Sequence, residues 1–580
     1  MSAGWKTATS MALLVLAMVA GEYLAGWLVT FLLQVPVQLG VGTYWEYVQA
    51  IHLPQVAPYV WKIKLAGYAG FGVPLLLWMM LVVLLVKPRA SAFHGNARFG
   101  NLADARRAGL LKRRPESVII GKLGRHYLYL SGTEHIIVIS PTRAGKTSSL
   151  AVPDLLTYEH SVVVLDSKGE LYVLTSGQRR AMGQVVYKFA PYAADGNTHR
   201  FNPLTCVSTN PRKRISEIQT IAAILYPDDP HKDPFWIAKA RSAFLGFASY
   251  MYECWDYRTR QGQKLDPNRD TAFPSFERIY RLSTGDGQGS ELKETIRQWL
   301  GTPIISEQTR TELSGLVGLS EETFSSVIAS MQEPLQQFIS PILAAATNAT
   351  DFDVMELRRR RMSIYVVIPP DKLGESGKLL NIFFSTVVGQ NLRSTPQDDK
   401  TIKNQVLLLM DEFAAMGRVK VLADNISLIA GYWIRLMTII QSNSQLRSIY
   451  GPDVAQTLST NHTASIVATP REQQDAEDYS RALGNTTVRR RQRNTGPNGT
   501  TYSYTEESRP LMLPQELKEL SNNLQIVFLK GSPAFRCKKN WYFKSRFFKK
   551  LLLPPVEMEP LAQSGELEKK TVREDGVVVG

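Results

Sequence analysis

Short apolar runs without polar alternation recur at Ile136–Ile139, Ser161–Leu165, Val185–Phe189, Ile364–Ile368, Val406–Met410, Leu436–Ile440, Ser465–Ala468 and Ile526–Leu529. A strand with one wet face alternates, and a strand buried on both faces does not. These runs therefore predict a parallel sheet covered on each side by helices. Shorter strands are expected at Val118–Ile120 and His126–Tyr129. From Phe201-Asn202-Pro203-Leu204 to Asp353 the pattern turns helical, as in Trp236, Ala240, Phe244 and Phe247, or Leu313, Leu316 and Val317. A structureless connection of about 150 residues is excluded on length, so residues 205–353 read as an all-α domain inserted into the sheet. The sheet resumes after Arg358-Arg359-Arg360-Arg361, and no internal repeat is visible. The fold class is α/β.

Two longer runs have a different scale. Met11–Leu33 is apolar except for Glu22 and a few small or polar residues, and Leu65–Val86 carries no charge. As a helix the first spans about 35 Å, enough to cross a bilayer. Between them, Gln34–Lys64 offers Trp45, Tyr59 and Trp61 as interfacial anchors. The flank with Lys87, Arg89, Arg98, Arg106, Arg107, Lys112, Arg113 and Arg114 outweighs Lys62 and Lys64. By the positive-inside rule the flank is cytoplasmic, the short loop external and both termini internal. The alternative for the first run, a signal peptide cut near Ala20, leaves the main body on the same side. Glu22, an acid inside a span, is a functional or packing candidate.

The expected division is a membrane anchor over 1–90 with spans at about 11–33 and 65–86. A nucleotide-binding domain follows over 91–204 and 354–553, interrupted by the insertion at 205–353. Residues 554–580, of mixed charge, are expected as a flexible tail. At 580 residues the chain is long enough for several such units. Lys and Arg number 67 against 52 acids, a net +15 that fits a polyanionic partner or simply a solvated basic surface. Cys206, Cys254 and Cys537 lie far apart without a CxxC pair, which indicates neither a disulfide scaffold nor a zinc site.

Chemistry concentrates first at Ile136–Leu150, IIVISPTRAGKTSSL. Strand, loop, Gly145-Lys146-Thr147 and helix make the P-loop arrangement, in which backbone N–H groups and a helix N-terminus cradle phosphates. Thr142, Arg143, Ala144, Gly145, Lys146, Thr147 and Ser148 are the expected nucleotide contacts. Lys146 would reach the β- and γ-phosphates and Thr147 would complete a Mg²⁺ shell. Ser140 stands where the usual first glycine would be. Val406–Met410 leads into Asp411-Glu412. An apolar strand ending in two acids is common alone, but beside a P-loop strand Asp411 meets the Mg²⁺ shell and Glu412 polarises the attacking water. Together they indicate NTP hydrolysis, with ATP and Mg²⁺ as cofactors. Gln441, closing the next strand, senses the γ-phosphate or caps a turn. Asp166 is a strand-end candidate or the N-cap of the helix starting near Gly169.

Three basic clusters remain: Arg358–Arg361, Arg489-Arg490-Arg491 with Arg493, and Lys538–Lys550, interleaved with Trp541, Tyr542, Phe543, Phe547 and Phe548. The last has the make-up of a phosphate-plus-stacking surface, against the alternative of a solvated face with packed aromatics. Thr487–Arg493, a turn at Asn494–Gly499 and Thr500–Glu506 predict a β-hairpin carrying the second cluster, of a kind that can enter a pore.

Taken in this order, the motifs resemble the TraG-like coupling ATPases of type IV secretion and conjugation. The matching stretches are His94–Phe99, Ser140–Thr147, Asp166–Glu170, Phe201–Leu204, Leu409–Phe413, Gln441 through Tyr450-Gly451, Tyr479–Gly484 and Arg509-Pro510-Leu511. The resemblance implies a RecA-like P-loop NTPase domain with its all-α insertion, preceded by two transmembrane helices. It implies a multi-pass protein of the bacterial inner membrane, a homo-hexamer with the bulk of the chain cytoplasmic. Its partners would be the inner-membrane proteins of a secretion channel, a relaxase or effector proteins, and single- or double-stranded DNA. One departure is Ala430, where some relatives carry an arginine ahead of the sensor strand; Arg435 lies inside that strand instead, and no trans-acting arginine is assigned. Competing readings are a DNA translocase of the chromosome-segregation class and a recruitment platform that binds ATP without acting as a motor.

Overall fold

The computed structural model describes residues 3–86, 94–229, 232–285, 292–496 and 499–561. Residues Met1–Phe93 and His94–Gly580 pack as two separate units. In the first, helices Ala3–Leu33 and Val60–Val86 lie antiparallel, with the Trp78 indole donating to Ser10 O at 2.9 Å and Lys62 to Leu32 O at 3.0 Å. Small residues let the backbones close up: a Cβ on Gly70 would fall 2.5 Å from Ala25 Cα, and one on Gly21 2.6 Å from the Phe71 ring. Both helices are long and apolar enough to cross a membrane, over Thr7–Leu33 and Ala57–Val83. Val15, Leu16, Leu76 and Met80 face outward. Glu22 accepts the backbone N–H of Trp45 at 3.2 Å, in the first turn of helix Thr43–Gln49, so its carboxylate has a capping partner. Lys87 and Arg89 lie outside the described residues.

The second unit is built on β1 (Val118–Leu123), β2 (His126–Leu130), β3 (His135–Ile139), β4 (Ser161–Asp166), β5 (Val185–Phe189), β6 (Met362–Val367), β7 (Val406–Met410), β8 (Ile434–Ile440), β9 (His462–Val467), β10 (Asn485–Gly496), β11 (Gly499–Pro510), β12 (Leu524–Leu529) and β13 (Phe535–Lys538). Among the described residues, eleven of these join one sheet in the order β2-β1-β13-β12-β9-β3-β8-β7-β4-β6-β5. From β9 to β5 every pairing is parallel. The expected double cover is visible in how side chains divide. Ile137, Val163, Leu408 and Leu436 join one core, while Ile136, Val162, Leu407 and Met437 join the core on the other face.

The sheet is not wholly parallel. β12, β13, β1 and β2 extend it antiparallel beyond β9. β13 alternates, with Phe535 and Cys537 buried and Arg536 and Lys538 exposed, because an antiparallel edge keeps one face wet. That alternation, inside a basic stretch, hides it from a search for continuous apolar runs.

Helices from Pro211–Leu225 to Pro341–Thr347 form the segment between β5 and β6. Its two connections are zipped together. Arg200 pairs with Asp351 at 2.7 Å, the Asn202 N–H donates to Thr350 Oγ1 at 2.9 Å, and the Phe201 N–H to Ala346 O at 2.9 Å. The Phe201 ring stacks on Phe352 with centroids 5.4 Å apart, and Phe189 on Phe383 at 5.6 Å, so the helical core runs into the sheet core without a break.

β10 and β11 form a hairpin apart from the sheet. Its register sets Arg489 opposite Glu506, Arg491 opposite Tyr504 and Arg493 opposite Tyr502, all on one face. The Arg491 guanidinium lies 3.5 Å from the Tyr502 ring centroid. Of the expected turn, residues 497 and 498 lie outside the described set. The first basic cluster is partly structural: Arg358 is buried and donates to Asn391, Ser394 O and Tyr432 O, and Arg359 pairs with Asp399 at 3.0 Å.

One expectation is corrected. The tail is not loose from 554: Val556 O accepts from the Tyr172 hydroxyl at 2.6 Å, the Val556 N–H donates to Ser176 Oγ at 3.1 Å, and Leu561 N–H reaches Gly196 O at 2.9 Å. Apolar Val556 is buried there, which anchors the segment; residues 562–580 lie outside the described set. Arg435, close in sequence to the motifs and left without an assigned role, is fully buried and donates to Glu134 O, Glu116 O and Leu130 O at 2.7–3.1 Å. Its role is internal. Arg435→Ala leaves these carbonyls unpaired at a cost of about 3 kcal/mol, so the unfolding temperature of the full chain is expected to drop by several degrees in a thermal melt. An unchanged melt with lost ATP turnover would contradict this.

Candidate active site

β3 ends at Ile139, and the chain turns through residues 140–146 into a helix that opens as a wide π-helical turn, Thr147–Ala151, and continues as Val152–Thr157. The Ser140 N–H donates to Ile440 O at 2.9 Å, tying the start of the loop to β8. Positive φ falls on Arg143 (65°) and Gly145 (82°), not on Ser140, so no glycine is required at 140. Arg143 held there stores on the order of 1 kcal/mol of strain, a feature of ligand-binding loops. Both the N–H and the hydroxyl of Ser149 close onto Gly145 O, at 2.9 and 2.8 Å. Thr142 and Arg143 are exposed, and Ala144 through Ser148 are half-buried.

Sheet order then brings the second motif alongside. β7 lies two strands from β3, with β8 between, and releases Asp411 and Glu412 at the same sheet end as the loop. Lys146 Nζ donates to Glu412 Oε1 at 2.7 Å and to Asp411 O at 2.9 Å, and lies 3.6 Å from Asp411 Oδ1. The Thr147 hydroxyl donates to Asp411 Oδ2 at 3.3 Å. The Thr142 hydroxyl donates to Gln441 Oε1 at 3.3 Å, and the Gln441 N–H to Gln445 Oε1 at 3.0 Å. Thr142, Lys146, Thr147, Asp411, Glu412 and Gln441 thus meet in one place.

The electrostatics are those of a buried charged cluster. Burial pushes the Asp411 carboxyl above its ordinary value; Lys146 opposes this, and Glu412 adds to it. Among the described residues, none donates a hydrogen bond to Asp411 Oδ1. A carboxylate oxygen with no hydrogen bond, beside a threonine hydroxyl, is a hard-oxygen pair of the kind that Mg²⁺ takes, so these residues fit the ion. Next to β7, Asp166 at the end of β4 is pushed up to about 6 by burial, with the Asp411 charge contributing and the N–H groups of Tyr172 and Lys168 pulling back. Its Oδ2 accepts the Tyr172 N–H at 2.9 Å in the first turn of helix Glu170–Ala181, but the N-cap residue of that helix is Gly169, so Asp166 holds the turn from outside the N-cap position.

Two residues outside the expected set also reach the loop. Lys539 Nζ donates to Ala144 O at 2.6 Å, and the Trp541 ring lies against Gly145. Nothing in their spacing signals this, since β13 and its turn must first be folded onto the sheet.

The family model described as "Type IV secretory system Conjugative DNA transfer" matches residues 98–564. The chain belongs to that family. It is 29% identical over 492 residues to Protein VirD4 of Agrobacterium fabrum (strain C58 / ATCC 33970), covering 82% of this chain and 69% of the relative. It is 26% identical over 547 residues to the conjugal transfer protein TraG of Escherichia coli, covering 84% and 82%. The fold matches the plasmid coupling protein TrwB, solved in complex with ADP and Mg²⁺, at TM-score 0.54 and 16% identity, over 82% of this chain and 97% of that one. A second TrwB structure, in complex with sulphate, matches at TM-score 0.55 and 17% identity, over 78% and 96%. The protein is a type IV secretion coupling ATPase with a RecA-like P-loop domain and a helical domain, and the chromosome-segregation alternative is not favoured.

Asp166 offers a test of the electrostatics. A carboxyl held at about 6 rather than its ordinary 3.8 binds its proton more tightly folded than unfolded. Its contribution to stability is thus full below the unfolded value and lost as pH rises through the folded one. Asp166→Asn removes that slope, and between pH 4 and 6 the variant should gain on the wild type by on the order of 2 kcal/mol in denaturant titrations. A constant difference across that range would contradict the assignment.

Proposed function

We propose that this chain is an inner-membrane motor and substrate receptor of a type IV secretion system, which spends ATP to drive export. The observation that carries the reading is the junction of Lys146 with Asp411 and Glu412, two strands apart in the sheet. In this reading the N–H groups of Thr142–Ser148 hold the phosphates, and Lys146 turns from Glu412 to the β- and γ-phosphates. Thr147 and Asp411 hold Mg²⁺, which when bound neutralises charge on the phosphate oxygens. Glu412, freed from Lys146, takes a proton from the attacking water. Gln441, already against Thr142, reports the γ-phosphate to β8 and the helix after it.

The family's role in conjugative DNA transfer supports a relaxase carrying single-stranded DNA as cargo, with effector proteins as the protein-only counterpart. The two long apolar helices support a multi-pass anchor, leaving the P-loop body in the cytoplasm where ATP is found. A homo-hexameric ring beneath the secretion channel is the assembly proposed. Within the chain we assign 1–90 to the anchor, 91–204 and 354–553 to the motor and 205–353 to the helical domain.

Glu412→Gln is expected to bind ATP but turn it over at least about 100-fold more slowly, while Lys146→Ala loses binding as well. Both should stop export in a conjugation or secretion assay; wild-type export by either would sink the motor reading. For DNA contact, the exposed arginine–tyrosine face of the β10–β11 hairpin is the favoured surface. Replacing Arg489, Arg491 and Arg493 with Ala should make the salt dependence of single-strand binding shallower by about 2 in logarithmic slope. An unchanged slope would remove the hairpin from the DNA path.

A further inference from the structure

Where β13 leaves the sheet a cavity of about 480 Å³ opens, within the range of roughly 300–1,000 Å³ usual for small-molecule sites. Lysines dominate its walls: Lys122 from β1, Lys538 from β13, and Lys539 and Lys544 from the segment that follows. The described walls include no aspartate or glutamate, and no residue of the phosphate loop at 140–148.

The fold itself concentrates this charge. In the β1–β13 ladder Lys122 stands directly opposite Lys538. Like charges so placed repel each other and destabilise the pairing. Lys539 is 6% exposed, and its ammonium donates only to neutral oxygens, Ala144 O at 2.6 Å and Asn522 Oδ1 at 3.2 Å. Lys293, equally buried in the helical domain, has the Glu321 carboxylate at 2.7 Å. Among the described residues, none of the four cavity lysines has such an acid. Crowded or buried charge of one sign is costly until a ligand brings the other.

The aromatic walls narrow the choice of ligand. Lys122 Nζ lies 4.9 Å from the Tyr127 ring centroid, and the Nζ atoms of Lys544 and Lys539 lie 5.6 and 5.8 Å from that of Trp541. Phe543 packs on Trp541 at 5.5 Å, and Phe548 on Tyr127 at 5.8 Å. Rings engaged by cations and by other rings hold ammonium groups in place and are poorly placed to stack a base. We propose that this cavity binds a small, multiply charged phosphate anion of the pyrophosphate class, at a site separate from the nucleotide site. Lys122, Lys538 and Lys544 hold its oxygens by charge-assisted hydrogen bonds. Lys539 and Trp541, which touch the loop at Ala144 and Gly145, form the wall on the loop side.

The test is a calorimetric titration of the full chain in detergent with pyrophosphate. Wild type should take up two equivalents per chain, one at the phosphate loop and one in the cavity, and a non-hydrolysable ATP analogue should displace only the first. Lys146→Ala should keep the cavity equivalent alone. In that background Lys122→Gln, Lys538→Gln and Lys544→Gln should each weaken it about tenfold, and the corresponding arginine variants, which keep the charge, should stay within about threefold. Lys538→Gln also relieves the like-charge pair, so its melting temperature without pyrophosphate should not fall, which separates lost binding from lost fold. An analogue that displaces both equivalents would return the cavity to the nucleotide site. Uptake of a single equivalent by wild type, or a second one indifferent to all three glutamine changes, would remove the site. An oligodeoxythymidylate that displaces the second equivalent, and loses affinity in the same variants, would assign these lysines to a nucleic-acid strand. Each of these overturns the proposal. An analogue that displaces neither equivalent, with the lysine dependence intact, sinks the ATPase reading and upholds this site.

Discussion

The adjacency of β3, β8 and β7 in parallel register is the constraint on which the site depends. Ile139 pairs with Ile440, and Met410 with Thr438, so three strand ends open toward the same edge of the sheet. From these ends come Lys146, Gln441 and the Asp411-Glu412 pair. A one-residue slip of any strand would turn its side chains to the opposite face and separate the ammonium from its two acids. Register is secured by burial on both faces, because Ile136 and Ile137 each enter a different apolar core.

Charges brought together in a dry site exchange hydration for each other. Lys146 has only 13% of its side chain exposed, and Asp411 11%. Pairs this buried gain little net stability, because desolvation offsets most of their attraction. What such a cluster does supply is a polarised cradle whose cation can change partners. In the structure Lys146 binds Glu412, and in the proposed mechanism a triphosphate competes for the same ammonium. The arginines divide along the same physical line. Arg435 and Arg358 are surrounded by backbone carbonyls and stay with the fold, whereas Arg489, Arg491 and Arg493 stand on an exposed hairpin, the first opposite Glu506 and the other two opposite tyrosines. A count of positive charge treats all five alike.

The parallel half of the sheet was legible because a strand buried on both faces must be apolar throughout, and such runs can be read without knowing their neighbours. The P-loop was legible for a related reason: its chemistry is carried by a few adjacent residues in one turn. The antiparallel extension was harder to see. β13 is four residues long and alternates, and its basic outer face made it part of a charge cluster. The docked stretch up to Leu561 was missed too, since its anchors are backbone hydrogen bonds to distant residues that no local pattern reveals.

By itself the sequence determined which elements form and which residues make up the P-loop and acid-pair motifs, because periodicity and short motifs are local properties of the chain. Only the tertiary structure decided their order in the sheet, and with it which groups meet. It alone placed Arg435 in the interior, set Asp166 against the first turn of helix Glu170–Ala181, and carried Lys539 and Trp541 to the loop after β3. Those contacts join residues hundreds of positions apart, and their energy comes from burial and pairing that exist only once the sheet has closed around them.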